Sequence, residues 1–180
     1  LIGRYEYLQV DPMKGLLEVK DSMYGQYAVF EIPLVTGENV YMRAQHLYAG
    51  IHQWYVVIVD RIKFFELWSL EPYSGENRLA LGDQKVWESD YKYQDAENGF
   101  SKGYDNPVPL PTVLCSFDEE SNRYFASIND GITRTIWLAS KGAEFVPMLC
   151  RSRDGADKLH ELVGVDEQSI VQLVKLVKYA

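Results

Sequence analysis

The sequence predicts an α+β fold. Three observations carry that prediction: short β-like runs parted by polar turns over the first third, a dense apolar run at 54–60, and later stretches whose apolar residues recur at helical spacing. At 180 residues, of which 47% are apolar and 13% aromatic, the chain has the size of one domain and the material for its core.

The elements follow in order. RYEYLQV (4–10) reads as a strand stopped by Asp11-Pro12. LLEVK, YAVFEIPLV and VYMRA come next, separated by Met-Tyr-Gly-Gln and Thr-Gly-Glu-Asn, turn formers that suit an antiparallel meander. Residues 1–53 therefore form a β-rich extension within a single domain spanning 1–180. Trp54 to Asp60 (WYVVIVD) suits a strand covered on both faces. RIKFFELWSL (61–70) has apolar residues at 62, 64, 65, 67, 68 and 70, a helix packed on one side and stopped by Glu71-Pro72. Residues 75–90 are polar and irregular.

SDYKYQDAENGF (89–100) predicts a helix. Ser89 or Asp90 offers the N-cap, Tyr93, Ala96 and Phe100 fall on one stripe, and Gly99 sits near the end. Pro107, Pro109 and Pro111 exclude a helix from NPVPLPTVLCSF (106–117) and suit an edge strand or an extended entry. DEESNR (118–123) is a hairpin turn and YFASI (124–128) its returning strand. Ile132, Ile136, Ala139 and Ala143 recur at helical spacing, with Gly142 closing that helix, and FVPMLC (145–150) is a further strand. The core thus covers 54–151. SRDGADK (152–158) reads as a loop, and VDEQSIVQLVKLVKYA (165–180) as a closing amphipathic helix capped by Asp166. Such a helix either docks on the sheet or lies against a partner or membrane surface, which Lys175 and Lys178 would assist.

Charge narrows the function. Acidic residues outnumber basic ones, 26 to 18, for a formal net charge of -8. Nucleic acid is repelled overall, so DNA contact is expected only through a local basic patch, for which Lys141, Arg151 and Arg153 are the candidates. Cys115 and Cys150 lie in strand-like stretches. With no CxxC pair and no zinc spacing among His46, His52 and His160, they read as buried thiols in a reducing compartment, and no zinc is expected. No apolar run approaches the roughly 20 residues that span a bilayer, and no signal peptide is recognisable.

The stretch NDGITRT (129–135) concentrates the chemistry. A turn through Asn129-Asp130-Gly131 ahead of a helix beginning near Thr133 presents unpaired backbone N–H groups and the positive end of the helix dipole. Gly131 allows close approach, Thr133 and Thr135 add hydroxyl donors, and Arg134 adds a planar fork suited to phosphate oxygens. Together these residue types make an anion site.

The order of strand, Asn129-Asp130-Gly131-Ile132-Thr133-Arg134, helix with Ala139, Gly142, and a strand led by Val146-Pro147 resembles the ParB/sulfiredoxin superfamily. A helix ending in glycine, Asn106-Pro107-Val108 and a hairpin precede it in the matching order, so the resemblance covers about 54–151. Sulfiredoxins place a catalytic cysteine two residues before the motif arginine, where this chain has Ile132. Sulfinic-acid reduction is therefore not expected. Partition proteins of the ParB type continue into a helix-turn-helix domain, for which the chain after the motif is too short. DYKYQDAENGF, NPVPL and DGITRTIWLASKGAEFVPMLC are similar more closely to the plasmid fertility inhibition factors.

That resemblance implies a ParB/sulfiredoxin-like core, inhibition of conjugative or type IV secretion transfer of competing DNA, and ATPase and DNase activity. On that view ATP lies at the 129–135 tip, contacted by Asn129, Gly131, Thr133, Arg134 and Thr135. Arg134 stabilises the transferring phosphoryl group, Asp130 and Asp90 are catalytic candidates, and Asp130 and Asp105 are candidate ligands for Mg2+. Components of the transfer apparatus are the expected partners, at or near the inner face of the bacterial inner membrane, with the protein in the cytoplasm. A different class of function competes: a non-catalytic module that occupies a coupling protein or effector. Its anchors would come from Trp54, Trp68, Trp87, Trp137 and the thirteen tyrosines, and its charge of -8 would suit a basic partner.

Overall fold

The structure, a computed structural model, describes residues 12–45, 54–73, 75 and 77–178. The strand expected at 4–10, together with His46 and His52, lies outside the described residues.

Alternation builds the first sheet. Strands β1 (Leu16–Ser22), β2 (Gly25–Pro33) and β3 (Asn39–Gln45) pair antiparallel in hairpin order. Ala28, Phe30 and Ile32 face Ala44, Met42 and Val40 across the β2–β3 pair, and all six are buried. Strand β4 (Tyr55–Asp60) is buried throughout Val56–Val59, as its unbroken apolar run requires. Helix α1 (Arg61–Trp68) follows directly, its first turn closed by Lys63 N donating to Asp60 Oδ1 at 2.9 Å.

Residues 75–90 are more ordered than their polarity suggested. They hold the short helices α2 (Asn77–Ala80) and α3 (Gln84–Glu88). Val86 N donates to Asp83 Oδ1 at 3.1 Å, and Trp87 Nε1 donates to Leu79 O at 2.8 Å. One buried indole organises the segment. Helix α4 (Tyr93–Phe100) starts later than expected: neither Ser89 nor Asp90 caps it, and Asp90 instead accepts from Lys92 N at 3.0 Å within the preceding turn. Gly99 falls inside α4, while Ala96 and Phe100 are buried as predicted.

The proline segment divides in two. Strand β5 (Val108–Pro109) pairs parallel with β3 as the edge of the first sheet, and β6 (Thr112–Asp118) lies inside a second, five-stranded sheet. β7 (Arg123–Asp130) returns antiparallel to β6, and α5 (Ile132–Ser140) and β8 (Phe145–Cys150) follow. Residues 152–158 are not a loop. They begin α6 (Arg153–Val163), where Gly155 N donates to Ser152 Oγ at 3.1 Å.

The closing amphipathic helix does not form. Residues 165–178 give the short strand β9 (Ile170–Gln172), paired with β4, and one turn, α7 (Leu173–Leu176). Leu173, Leu176 and Val177 are buried, so the apolar stripe docks on the sheet. Asp166 caps no helix; its carboxylate accepts from Ser169 Oγ at 2.5 Å. β-Pairing along an open edge of β4 won over helical periodicity, a tertiary effect invisible in a local window.

The architecture is α+β with two mixed sheets, β1-β2-β3-β5 and β7-β6-β8-β4-β9. Helices α1 and α6 pack on the second sheet, and α5 lies against α3 and α4. At the α4–α5 seam Phe100 and Trp137 stack with centroids 4.3 Å apart, and Trp137 Nε1 donates to Glu97 Oε2 at 2.8 Å. Replacing Phe100 with Ala should lower the unfolding free energy by about 3–5 kcal/mol, read as a lower urea midpoint at unchanged m-value.

Candidate functional site

The tip at 129–135 differs in detail from a simple turn. β7 continues through Asn129 and Asp130, with Asp130 opposite Thr112, and the chain reverses at Gly131 alone. Gly131 is left-handed, with φ 92°. A Cβ there would also lie 2.8 Å from Arg134 Nη2 and 2.9 Å from Pro111 Cα. Backbone conformation and crowding both demand glycine.

Arg134 folds back over this turn. Its Nη2 donates to Asp130 Oδ2 at 2.9 Å, joining a side chain 20% exposed to one 76% exposed. Arg134 Nε is buried and without a partner among the described residues. Thr135 corrects the expected set of phosphate contacts. It is fully buried, and its Oγ1 donates to Gly131 O at 2.9 Å, so its hydroxyl braces the first turn and does not face a ligand.

The tip opens into a cleft of about 660 Å³. Asn129, Asp130, Gly131, Thr133 and Arg134 line it. α4 and the turn after it supply the opposite wall with Lys92, Asp95 and Lys102, and the Pro107–Pro109 segment with Arg43 of β3 completes it. Four cations face two carboxylates, so the cleft is positive on a chain of net charge -8. Such local reversal of charge concentrates anions.

Arg43 is the residue the sequence did not disclose. Its guanidinium donates to the Pro107 carbonyl, and its backbone accepts from Leu110 N at 3.1 Å. Burial first, and then the neighbouring Arg134, lower its pKa below the ordinary arginine value. Only the parallel pairing of β3 with β5 brings it here. Lys92, Asp95 and Lys102 did carry a signal. Positions 92, 95, 99 and 102 repeat at helical spacing, on a different set from Tyr93, Ala96 and Phe100.

Other expected site residues lie elsewhere. Asp90 and the exposed turn residue Asp105 do not line the cleft. Neither do Lys141, Arg151 and Arg153, each of which has its own neighbour. Lys141 Nζ is 3.6 Å from Glu97 Oε2, Arg151 lies over the Trp54 ring at 5.0 Å, and Arg153 Nε is 3.8 Å from Asp157 Oδ2. Cys115 and Cys150 are buried free thiols on the neighbouring strands β6 and β8. Burial pushes Cys115 up to about 12 and raises Cys150 as well.

A family model described as Plasmid Fertility inhibition factor matches residues 56–164. The chain belongs to that family. Protein osa of Shigella flexneri is 26% identical to this fertility inhibition factor over 141 residues, 76% of this chain and 69% of the relative. A crystal structure of the oncogenic suppression activity protein, described as a plasmid fertility inhibition factor and obtained as a gold(I) cyanide derivative, shares its fold. That comparison has a TM-score of 0.73 and 22% identity, covering 97% of this chain and 85% of the other. The family match contains the tip and Arg134, whereas Arg43 precedes it.

Two measurements check this geometry. Gly131→Ala forces an L-residue into left-handed backbone against Pro111, at about 1–2 kcal/mol, so the thermal midpoint should fall by about 2–8 °C. A thiol-reactive dye at pH 8 should leave the native cysteines unlabelled and modify both after denaturation. The sign follows from Cys115: folded and unfolded thiols are equally protonated below its ordinary value of 9.0, and the folded state loses stability as pH rises from there towards about 12.

Proposed function

We propose that this fertility inhibition factor binds the phosphates of ATP in the cleft at 129–134, hydrolyses the nucleotide, acts as a DNase on transferred DNA, and so blocks conjugative or type IV secretion transfer of competing DNA. One observation carries the reading: an electropositive cleft, built around a glycine-led helix start and a guanidinium, on an otherwise acidic chain. Asn129, Gly131 and Thr133 would meet phosphate oxygens, and Arg134 would stabilise charge developing on the transferred group. A ParB/sulfiredoxin-type core belongs to the same proposal. Gly131, Arg134, Ala139, Gly142 and Pro147 stand in the order that resemblance requires: Gly131 between β7 and α5, Arg134 and Ala139 on α5, Gly142 just after it and Pro147 on β8.

Mg2+ fits the carboxylate chemistry of the rim in part. Asp95 and Asp130 offer hard oxygen ligands, with Asp95 in the place first expected for Asp105, while Asp130 Oδ2 already holds Arg134. The ion would be shared with the nucleotide phosphates and would neutralise their charge. The proposed setting is the cytoplasm, with components of the transfer apparatus as partners. No helix among the described residues is long and apolar enough to cross a membrane. The segment first offered to the membrane surface is docked on β4, and no membrane contact is proposed through it.

A second reading, a non-catalytic binder that occupies a coupling protein or effector, is favoured by one feature of the tip. Arg134 is held by Asp130 and lies over Gly131, so the helix start is covered by its own side chains. Nucleotide titration and turnover separate the two. The first expects saturable ATP binding and Mg2+-dependent hydrolysis. Arg134→Ala should then abolish turnover and weaken ATP by about 1.5–3 kcal/mol while the circular dichroism spectrum is unchanged. Asp130→Asn should lose turnover yet keep magnesium-free binding. Turnover that survives Arg134→Ala would sink the catalytic reading, and wild-type protein that inhibits transfer without hydrolysis would establish the second. DNA cleavage, if intrinsic, should weaken steeply with added salt.

A further inference from the structure

The cleft reads charge and offers little to a nucleobase. Among the described residues that line it, none is aromatic; its apolar surface comes from Ala96, Val108, Ile132 and prolines. Nucleic-acid proteins that hold bases do so largely by stacking them on aromatic rings or guanidinium planes; among the described lining residues only the Arg43 and Arg134 guanidiniums offer such a plane, and their charge and fork favour phosphate oxygens. Rings next to the lining residues in the sequence do not themselves line the cleft: Tyr93 Oη pairs with Ser140 Oγ at 2.7 Å, and Tyr91, 86% exposed, lies outside the lining with Lys92 Nζ 5.4 Å from its ring. Phe100 stacks on Trp137, and Tyr104 meets Tyr41 edge-on at 5.5 Å with Lys20 Nζ over its face at 4.6 Å.

The two guanidiniums tell the complementary half. Arg43 comes from β3 of the first sheet and Arg134 from α5 beside the second, and both line one cleft. The Pro107 carbonyl pins Arg43 and Asp130 pins Arg134. Arg134 Nε remains a buried donor with no acceptor among the described residues. A buried donor left open calls for an acceptor, and like charges sharing a cleft call for an anion between them.

We propose that Arg43 and Arg134 form a two-arginine clamp that takes the polyphosphate of a nucleotide and leaves the base unread. This rests on the nucleotide reading of the same cleft and adds to it a binding residue, Arg43, and a substrate class. Arginine suits the task because its planar fork meets two phosphate oxygens at once. The cleft volume of about 660 Å³ is of the size of ordinary small-molecule sites. The clamp also makes the first sheet part of the site, since Arg43 stands before the matched segment 56–164.

The test is calorimetric titration in magnesium-free buffer with ATP, GTP, CTP, inorganic tripolyphosphate and adenosine. The four phosphate ligands should agree within about threefold, and adenosine should not bind at millimolar concentration. Arg43→Ala should weaken tripolyphosphate about tenfold or more, and Arg43→Lys should recover part of that loss through its charge but not its fork. Thermal melts show whether either variant folds; should Arg43→Ala fail to fold, Arg43→Lys and the wild-type ligand series decide. ATP binding at least tenfold tighter than GTP or tripolyphosphate would overturn the clamp while leaving a nucleotide site standing. A folded Arg43→Ala that binds tripolyphosphate like the wild type would also overturn it. Wild-type protein that binds none of the phosphate ligands would remove the nucleotide reading and the clamp together.

Discussion

A proline-rich segment belongs to both sheets, and the geometry of the cleft depends on it. Residues 107–111 leave the first sheet as β5 and enter the second as β6. Three of those five residues are proline, without a backbone donor and fixed in φ, so the segment stays extended and cannot coil into a helix. Its carbonyls do the joining. Pro107 O accepts from Arg43, and Pro111 O accepts from Leu149 N at 2.8 Å. Pro111 also backs Gly131 closely enough that no side chain fits between them. One rigid splice therefore fixes Arg43 and the α5 tip relative to each other.

Electrostatics follow from that fixed geometry. The chain is acidic as a whole, yet cations from β3, from the two ends of α4 and from α5 converge where the segments meet. Burial of the Arg43 guanidinium costs free energy and the neighbouring Arg134 charge adds to that cost, and together, in that order, they depress the pKa of Arg43. Asp130 offsets part of that cost through Arg134. Groups held in such a balance are responsive, because an incoming anion replaces repulsion by attraction without moving the backbone. Thr135, the other polar group at the tip, contributes in the opposite way. Buried on the Gly131 carbonyl, it stiffens the turn on which the arginine is mounted.

Much of the local structure was legible in advance. The meander, the doubly covered strand at 55–60, the hairpin around 119–122 and the helix closed by Gly142 all follow from periodicity and turn residues. Two of the misplacements share a cause. The polar stretch 75–90 is organised by Trp87, whose indole reaches back to Leu79, and the last apolar stripe becomes a strand because β4 has an open edge for it. Neither reason is local. The same holds in the cleft: Arg134 and Gly131 stand in a recognisable spacing, whereas Arg43 lies 91 positions before Arg134 and meets it only through parallel strand pairing.

By itself, the sequence determined what each segment can be. Glycine at 131 permits a left-handed turn, prolines forbid a helix at 106–111, and an arginine three residues past the glycine sits at a helix start, because these are properties of single residues and their immediate neighbours. Tertiary structure alone decided which charges share space. Convergence of Arg43, Lys92, Lys102 and Arg134, burial of Thr135, and exclusion of Asp90 and Asp105 from the cleft depend on how two sheets join. Contact between residues remote in sequence is set by packing and strand register, which no local pattern encodes.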